Sequence, residues 1–261
     1  MKTAVIAITQ AGLKVAAKLA VHLDVDLYIP DKAEMNIADV MIHERYTGST
    51  KELTKNIWKN YDAFIFIMSL GIVNRIISGL IKDKLSDPAV VVIDEMGRYV
   101  ISALSGHEGG ANKLAEKAAL ICRGDFVVTT GSEANKTLIA GMGCKRGTSA
   151  QTLEESLLSA LKKINRSVDE LRLIASVEDK EDEEGFYRLS EKLNVPLKFI
   201  GKELISQVEE NFQGSTFVKK TLGVSAVAEP CAILGGFRCK IILPKTTHKE
   251  TTTAIAEESF I

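Results

Sequence analysis

Two apolar runs of strand length, Ala63–Met68 (AFIFIM) and Ala89–Asp94 (AVVVID), constrain the fold more than any other feature of this chain. Their hydrophobicity is continuous rather than alternating. That pattern predicts burial on both faces, as in a parallel sheet covered by helices. The surrounding segments fit: Ala4–Ile8, Asp26–Ile29, Tyr99–Ala103 and Phe126–Thr130 read as strands, and Leu13–Leu23, Ser49–Trp58 and Ile72–Ile81 as helices. Ser49 and Glu52 have the spacing of a capping box. Ser105–Cys122 opens with a glycine-rich turn and becomes a helix. Strand–helix alternation at this spacing predicts an α/β sheet with right-handed crossovers.

The polar seam Gly131-Ser132-Glu133-Ala134-Asn135 marks a boundary. Residues 1–135 are expected to form an N-terminal α/β domain with a largely parallel, three-layer sheet. Residues 136–261 are expected to form a C-terminal α/β domain with a mixed sheet. There Thr137–Met142 reads as a strand, Gly143–Gly147 as a loop, and Thr148–Ile164 as an amphipathic helix opened by a capping box from Thr148 to Gln151. Leu171–Ser176 and Pro196–Ile200 read as strands, and Phe186–Leu193, Lys202–Glu210, Phe217–Leu222 and Ala226–Leu234 as helical segments. Arg238–Leu243 and Thr251–Ala256 read as a closing hairpin. The acidic run Glu178–Glu184 (EDKEDEE) reads as a solvated helix start, where carboxylates suit the positive dipole end.

Composition narrows the partners. With 33 basic and 34 acidic side chains the net charge is -1, which gives no general field for nucleic acid or an anionic membrane. The most apolar stretch, Ala63–Val73, has 11 residues, short of the about 20 that a spanning helix needs. No signal-peptide pattern is present at the N-terminus. Cys122, Cys144, Cys231 and Cys239 form no C-x-x-C pair and read as free thiols in a reducing cytosol, with no zinc site.

Three glycine-bearing segments carry reactive side chains. Gly71–Arg75 follows a buried strand, so Ser69, Asn74 and Arg75 are candidate ligand contacts at a helix N-terminus. A plain strand-to-helix turn with a surface arginine fits equally. Ser105-Gly106-His107-Glu108-Gly109-Gly110-Ala111-Asn112 lets backbone approach a ligand closely and places His107 as an acid or base near neutral pH. A capping box of Ser105 with Glu108, with His107 filling the turn, is the structural alternative, and Glu108 suits the cap better than the base. Gly141–Thr148 matches neither standard nucleotide loop. It is a stronger anion site, because Gly143, Cys144, Gly147 and Thr148 bring backbone amides together with Lys145 and Arg146. Cys144 as a nucleophile would need a base that the sequence does not assign. Glu229 is a lone carboxylate in an apolar helical stretch, either a buried base or a solvated helix-face residue. His22, His43 and His248 sit in ordinary polar contexts.

Three blocks carry a family resemblance: DKLSDPAVVVIDEMGRYVISALSGHEGGAN at Asp83–Asn112, GMGCKRGTSA at Gly141–Ala150, and LGVSAVAEPCAIL at Leu222–Leu234, the last followed by Pro244-Lys245 at a strand end. The chain resembles the cobalt-precorrin-5A hydrolase family, the CbiG proteins of anaerobic cobalamin biosynthesis. Many members carry a middle segment between the two domains. Here Val127-Val128-Thr129-Thr130 runs into Gly141 within a few residues, so the chain resembles a short form.

The resemblance implies a cobalt-bearing tetrapyrrole substrate whose δ-lactone is opened with water, releasing acetaldehyde to give cobalt-precorrin-5B. Cobalt belongs to that substrate, so no cofactor or protein metal site is implied. His107 or Glu229 is the expected base. Ser69, Asn74, Arg75, Ser105, Gly106, Gly109, Gly110, Asn112 and the Gly143–Thr148 loop are the expected substrate contacts, in a cleft between the domains. A cytoplasmic location, a homodimer and transient contact with other cobalamin-pathway enzymes complete the expectation, with no nucleic-acid or membrane partner. The second domain also resembles a stand-alone protein of the aerobic pathway. The alternative is therefore a non-catalytic tetrapyrrole carrier or assembly protein. A nucleotide- or phosphate-binding enzyme using Gly141–Thr148 is a further competitor.

Overall fold

A computed structural model describes residues 1–33, 44–133, 135–208, 212 and 226–259. The expected helical turn at Phe217–Leu222 and the start of the third motif block lie outside these residues. Two compact units are present, Met1–Gly131 and Ser132–Ile261.

In the first unit the two apolar runs become central strands. The strands are β1 (Thr3–Ala7), β2 (Val25–Pro30), β3 (Glu44–Tyr46), β4 (Ala63–Ile67), β5 (Ala89–Ile93), β6 (Tyr99–Leu104) and β7 (Asp125–Val127). They form one sheet in the order β3-β2-β1-β4-β5-β6-β7. Alternate residues of β4 enter different cores, which is why its sequence has no polar face. Phe64 and Phe66 pack with Leu53, Ile57 and Trp58 on one side. Ile65 and Ile67 pack with Leu13, Ala16 and Leu19 on the other. Helices α2 (Thr50–Ile57) and α3 (Leu70–Ile77) cover the first face, and α1 (Gln10–His22) and α4 (Ala111–Cys122) the second. The result is the largely parallel, three-layer sheet expected from sequence. The Ser49–Glu52 capping box is formed, with each residue's side chain accepting from the other's backbone N–H.

One reversal matters for the site. Strand β5 is parallel to β4 but antiparallel to β6, so Leu104 at the end of β6 pairs with Val90 at the start of β5. The expected strand Phe126–Thr130 is shorter and ends at Val127. Thr130 instead accepts a hydrogen bond from Asn112 Nδ2 at 3.1 Å.

The second unit holds a mixed sheet of β8 (Leu138–Cys144), β9 (Leu171–Val177), β10 (Leu197–Ile200), β11 (Cys239–His248) and β12 (Thr251–Glu258), ordered β10-β9-β8-β12-β11. Strand β12 is antiparallel to both β8 and β11. The edge strand β11 carries Pro244 and two register shifts, between Ile241 and Leu243 and between Leu243 and Thr246. Helix α5 (Ala150–Lys163) buries Leu153, Leu157 and Leu161, and its Ser156 hydroxyl lies 2.9 Å from that of Thr253 on β12. Its N-cap is Ser149, which accepts from the Thr152 N–H, so the expected cap at Thr148 is one residue early. Helices α6 (Glu184–Leu193), α7 (Lys202–Val208) and α8 (Ala228–Leu234) complete the unit.

Helix α8 lies almost on the backbone of β8. A Cβ at Gly141 would stand 1.9 Å from the Ala228 carbonyl oxygen and 2.4 Å from the Ala232 nitrogen. Only a residue without a side chain permits this approach. Strand β8 therefore runs on through Gly143 and Cys144, which the sequence reading placed in a loop. Gly141→Ala must push helix from sheet and is expected to cost about 2–3 kcal/mol, lowering the thermal midpoint by roughly 5–10 °C. Gly79→Ala, where nothing lies within 4 Å, should leave the midpoint unchanged in the same calorimetric scan.

Candidate functional site

The first unit has two distinct edges. At the carboxyl ends of β1 and β4 the helices leave to opposite faces, the switch point where open α/β sheets bind ligands. Thr9 caps α1 there through the Gly12 N–H at 3.1 Å. Ser69 is the N-cap of α3 and makes no side-chain cap bond. Ser69, Asn74 and Arg75 are all exposed, and Arg75 Nη1 donates to the Gly71 carbonyl at 3.2 Å.

The Ser105–Asn112 turn follows the antiparallel β6, so it lies at the opposite edge, beside the amino end of β5. One five-residue strand, about 16 Å long, separates the two edges. The structure therefore does not join these two candidate segments into one site. The turn is closed on itself. Ser105 takes φ +53° and donates its hydroxyl to the Asp87 carbonyl at 3.0 Å. Asp87 in turn accepts from the backbone N–H groups of Lys82 and Asp83. A Cβ at Gly109 would meet Ser105 Cβ at 2.5 Å, and one at Gly106 would meet Asn112 Oδ1 at 2.6 Å. Asn112 is buried and accepts from the Ser102 hydroxyl at 2.7 Å.

The expected capping box of Ser105 with Glu108 is absent. Helix α4 begins at Ala111, and its N-cap is Gly110, at φ +85°. Glu108 is exposed and pairs with Lys84 at 3.2 Å. Its carboxyl is held below the usual range by its own backbone N–H and by Lys84. His107 is exposed at the tip.

In the second unit the carboxyl ends of β8 and β9 come together, and the expected anion loop is already engaged there. Lys145 pairs with Glu250 at 3.3 Å and Arg146 with Asp182 at 2.5 Å, both exposed. The Gly147 N–H donates to Glu183 Oε2 at 2.9 Å, and the Thr148 hydroxyl to the Lys145 carbonyl at 2.7 Å. The acidic run is thus not a solvated helix start. Lys180 and Glu183 are buried and paired at 3.3 Å, and Glu178 and Asp179 receive the backbone N–H and ammonium of Lys202. The run folds its carboxylates back onto the loop that sequence reading left open. A lysine set three residues before a glutamate within the run was the available signal for Lys180 and Glu183.

Burial pushes the Cys144 thiol up, with Lys180 pulling it down and Glu183 raising it. That opposes a nucleophilic role. Glu229 is buried near the start of α8, which resolves its two readings in favour of burial. Its Oε1 accepts from the Lys245 N–H at 3.2 Å, and its Oε2 has no hydrogen-bond partner among the described residues. No group of three or more histidine, cysteine, aspartate or glutamate side chains suited to a metal ion occurs among the described residues. No helix among them is long and apolar enough to cross a membrane.

A family model described as Cobalamin synthesis G N-terminal matches residues 52–133, and one described as Cobalamin synthesis G C-terminus matches residues 138–256. A curated protein of Priestia megaterium named cobalt-precorrin-5A hydrolase is 25% identical, over 97% of this chain and 94% of that protein. One of the same name from Salmonella typhimurium is 26% identical, over 88% of this chain and 91% of that protein. The alignment with the first spans 352 positions against 261 residues here, so it opens gaps in this chain. Among solved structures, CobE, a protein from the cobalamin (vitamin B12) biosynthetic pathway, is 32% identical over 47% of this chain and 91% of that chain, with a TM-score of 0.45.

Glu183→Gln leaves the Lys180 ammonium buried without its charge partner and should cost about 3 kcal/mol in denaturant unfolding. Asp182→Asn, at an exposed pair, should produce no measurable loss in the same assay. The thiols give a pH signature. Burial pushes Cys122 and Cys239 up to about 11. At pH 9 an ordinary thiol is more than half ionised, whereas these are about 1% ionised. Native alkylation at pH 9 should therefore be far slower than in the unfolded chain. The folded state holds these protons more tightly, so their stability contribution is full below the unfolded value near 9 and is lost as pH rises through about 11.

Proposed function

Because the chain belongs to the cobalamin synthesis G family, we propose that it is a cobalt-precorrin-5A hydrolase, opening the substrate δ-lactone with water and releasing acetaldehyde to give cobalt-precorrin-5B. The observation that carries this reading is the pair of relatives of that name, aligned across 97% and 88% of the chain. Water adds to the lactone carbonyl, a base takes its proton, and the acyl C–O bond breaks to leave a carboxylate and an alcohol still attached to the macrocycle; the alcohol then loses its proton, the C–C bond to the macrocycle breaks with its electron pair passing to the ring system, and the two-carbon unit departs as the aldehyde. The cobalt arrives with the substrate, and the protein brings no cofactor of its own. The same proposal places the protein in the cytoplasm, as a homodimer in transient contact with other cobalamin-pathway enzymes.

Glu229 is the proposed base. Its Oε1 is fixed by the Lys245 N–H, and its Oε2 has no partner among the described residues. A carboxylate held through one oxygen, with the other buried and without a hydrogen bond among the described residues, keeps that second oxygen for a proton. His107, exposed at a turn whose backbone bonds to itself, is proposed as a contact to the macrocycle rather than the base. Lys145 and Arg146 are proposed to bind peripheral carboxylates by exchange. Their present partners Glu250 and Asp182 are exposed, and exposed pairs are weak enough to be displaced. The Gly147 N–H is committed to Glu183, so it is not assigned to the oxyanion.

The test is anaerobic incubation with cobalt-precorrin-5A and assay of acetaldehyde. The wild type should release it, and tight binding without release would make the protein a carrier. Glu229→Gln, which keeps the Lys245 contact, should lower kcat by about 10²–10⁴ with little change in KM. Full turnover in that variant would remove Glu229 as the base, and His107→Ala should keep most of kcat.

A further inference from the structure

The N-terminal unit has a cavity of about 330 Å³ that none of the three glycine-bearing segments lines. It opens at the carboxyl edge of the sheet, between the first turns of α1 and the turn that joins β5 to β6. Val15, Met96 and Cys122 give it apolar walls, and Lys14, Lys18 and Glu95 stand among its lining.

Two features make this more than a surface dent. Lys14 and Lys18 are four residues apart on one helix, so their side chains project from the same face. Both are exposed, and neither enters an ion pair among the described residues. On the turn beside them, Arg98 is held by Asp94 at 2.8 Å. Two unpaired ammonium groups thus flank an apolar recess beside the switch point. Met96, 68% exposed, adds its side chain to that recess.

The recess is at the small end of ligand pockets, which run from about 300 to 1,000 Å³. It suits part of a large ligand. We propose that it binds one carboxylate-bearing ring edge of a polycarboxylate macrocycle, with the ring hydrocarbon against Val15, Met96 and Cys122 and two peripheral carboxylates on Lys14 and Lys18. Glu95 stands in the same lining and repels carboxylates, which turns the arms toward α1. This assignment rests on the tetrapyrrole reading of the function and adds to it a recognition site on the N-terminal unit.

Anaerobic absorbance titration with cobalt-precorrin-5A tests it on the full chain. The Lys14→Gln/Lys18→Gln double variant and Met96→Asp should each raise Kd about tenfold with the thermal midpoint unchanged. The double variant should also bind with a flatter salt dependence than wild type. Glu95→Gln should bind more tightly, which keeps the site testable if Met96→Asp lowers the midpoint. Unchanged Kd in all three variants, with wild-type binding intact, overturns the site and leaves the hydrolase reading standing. A wild type that neither binds cobalt-precorrin-5A nor releases acetaldehyde overturns the functional reading and this occupant together.

Discussion

The contact between Gly141 and the backbone of α8 sets the geometry of the C-terminal unit. With no side chain at that position, the helix backbone rests directly on the strand, and the chain can follow β8 through Cys144 without lifting away. The same approach brings the first turn of α8 toward the carboxyl end of β8. Glu229 sits in that turn, close enough to β11 for Lys245 to donate to it. The buried carboxylate is thus a product of sheet–helix packing: move the helix outward by one methyl group and its partner is lost. The burial of Glu229 and the packing of α8 on β8 are one constraint here.

Much of the fold was legible because hydrophobic pattern reports burial. The runs at β4 and β5 lack a polar face since each faces two cores. The Ser49–Glu52 spacing gave a true cap because a helix begins directly after Ser49. The same spacing at Ser105 and Glu108 misled, since the chain first makes a left-handed turn at Gly110 and the helix starts only at Ala111. A spacing rule sees residue types and not the φ angles between them. The acidic run misled for a related reason. Seven charged residues in a row look solvated, yet Lys180 and Glu183 bury each other's charge, and neutralisation within the run is invisible until the turn is folded.

Strand direction is the other thing a single sequence withholds. Both β5 and β6 were legible as strands, but nothing in their residues states that β6 runs back along β5. That reversal decides which edge carries the Ser105–Asn112 turn. It places the turn away from Ser69 and Arg75, which share the switch-point edge with Thr9.

The edge strand β11 has a consequence for assembly. Proline supplies no N–H to a neighbouring strand, and two register shifts near Pro244 break the regular spacing of the remaining donors. Unbroken pairing of a second chain along the whole of that side is interrupted at Pro244. Contact through side-chain surfaces has a stoichiometry set by shape, whereas open-ended backbone pairing, which Pro244 interrupts, has no natural stopping point.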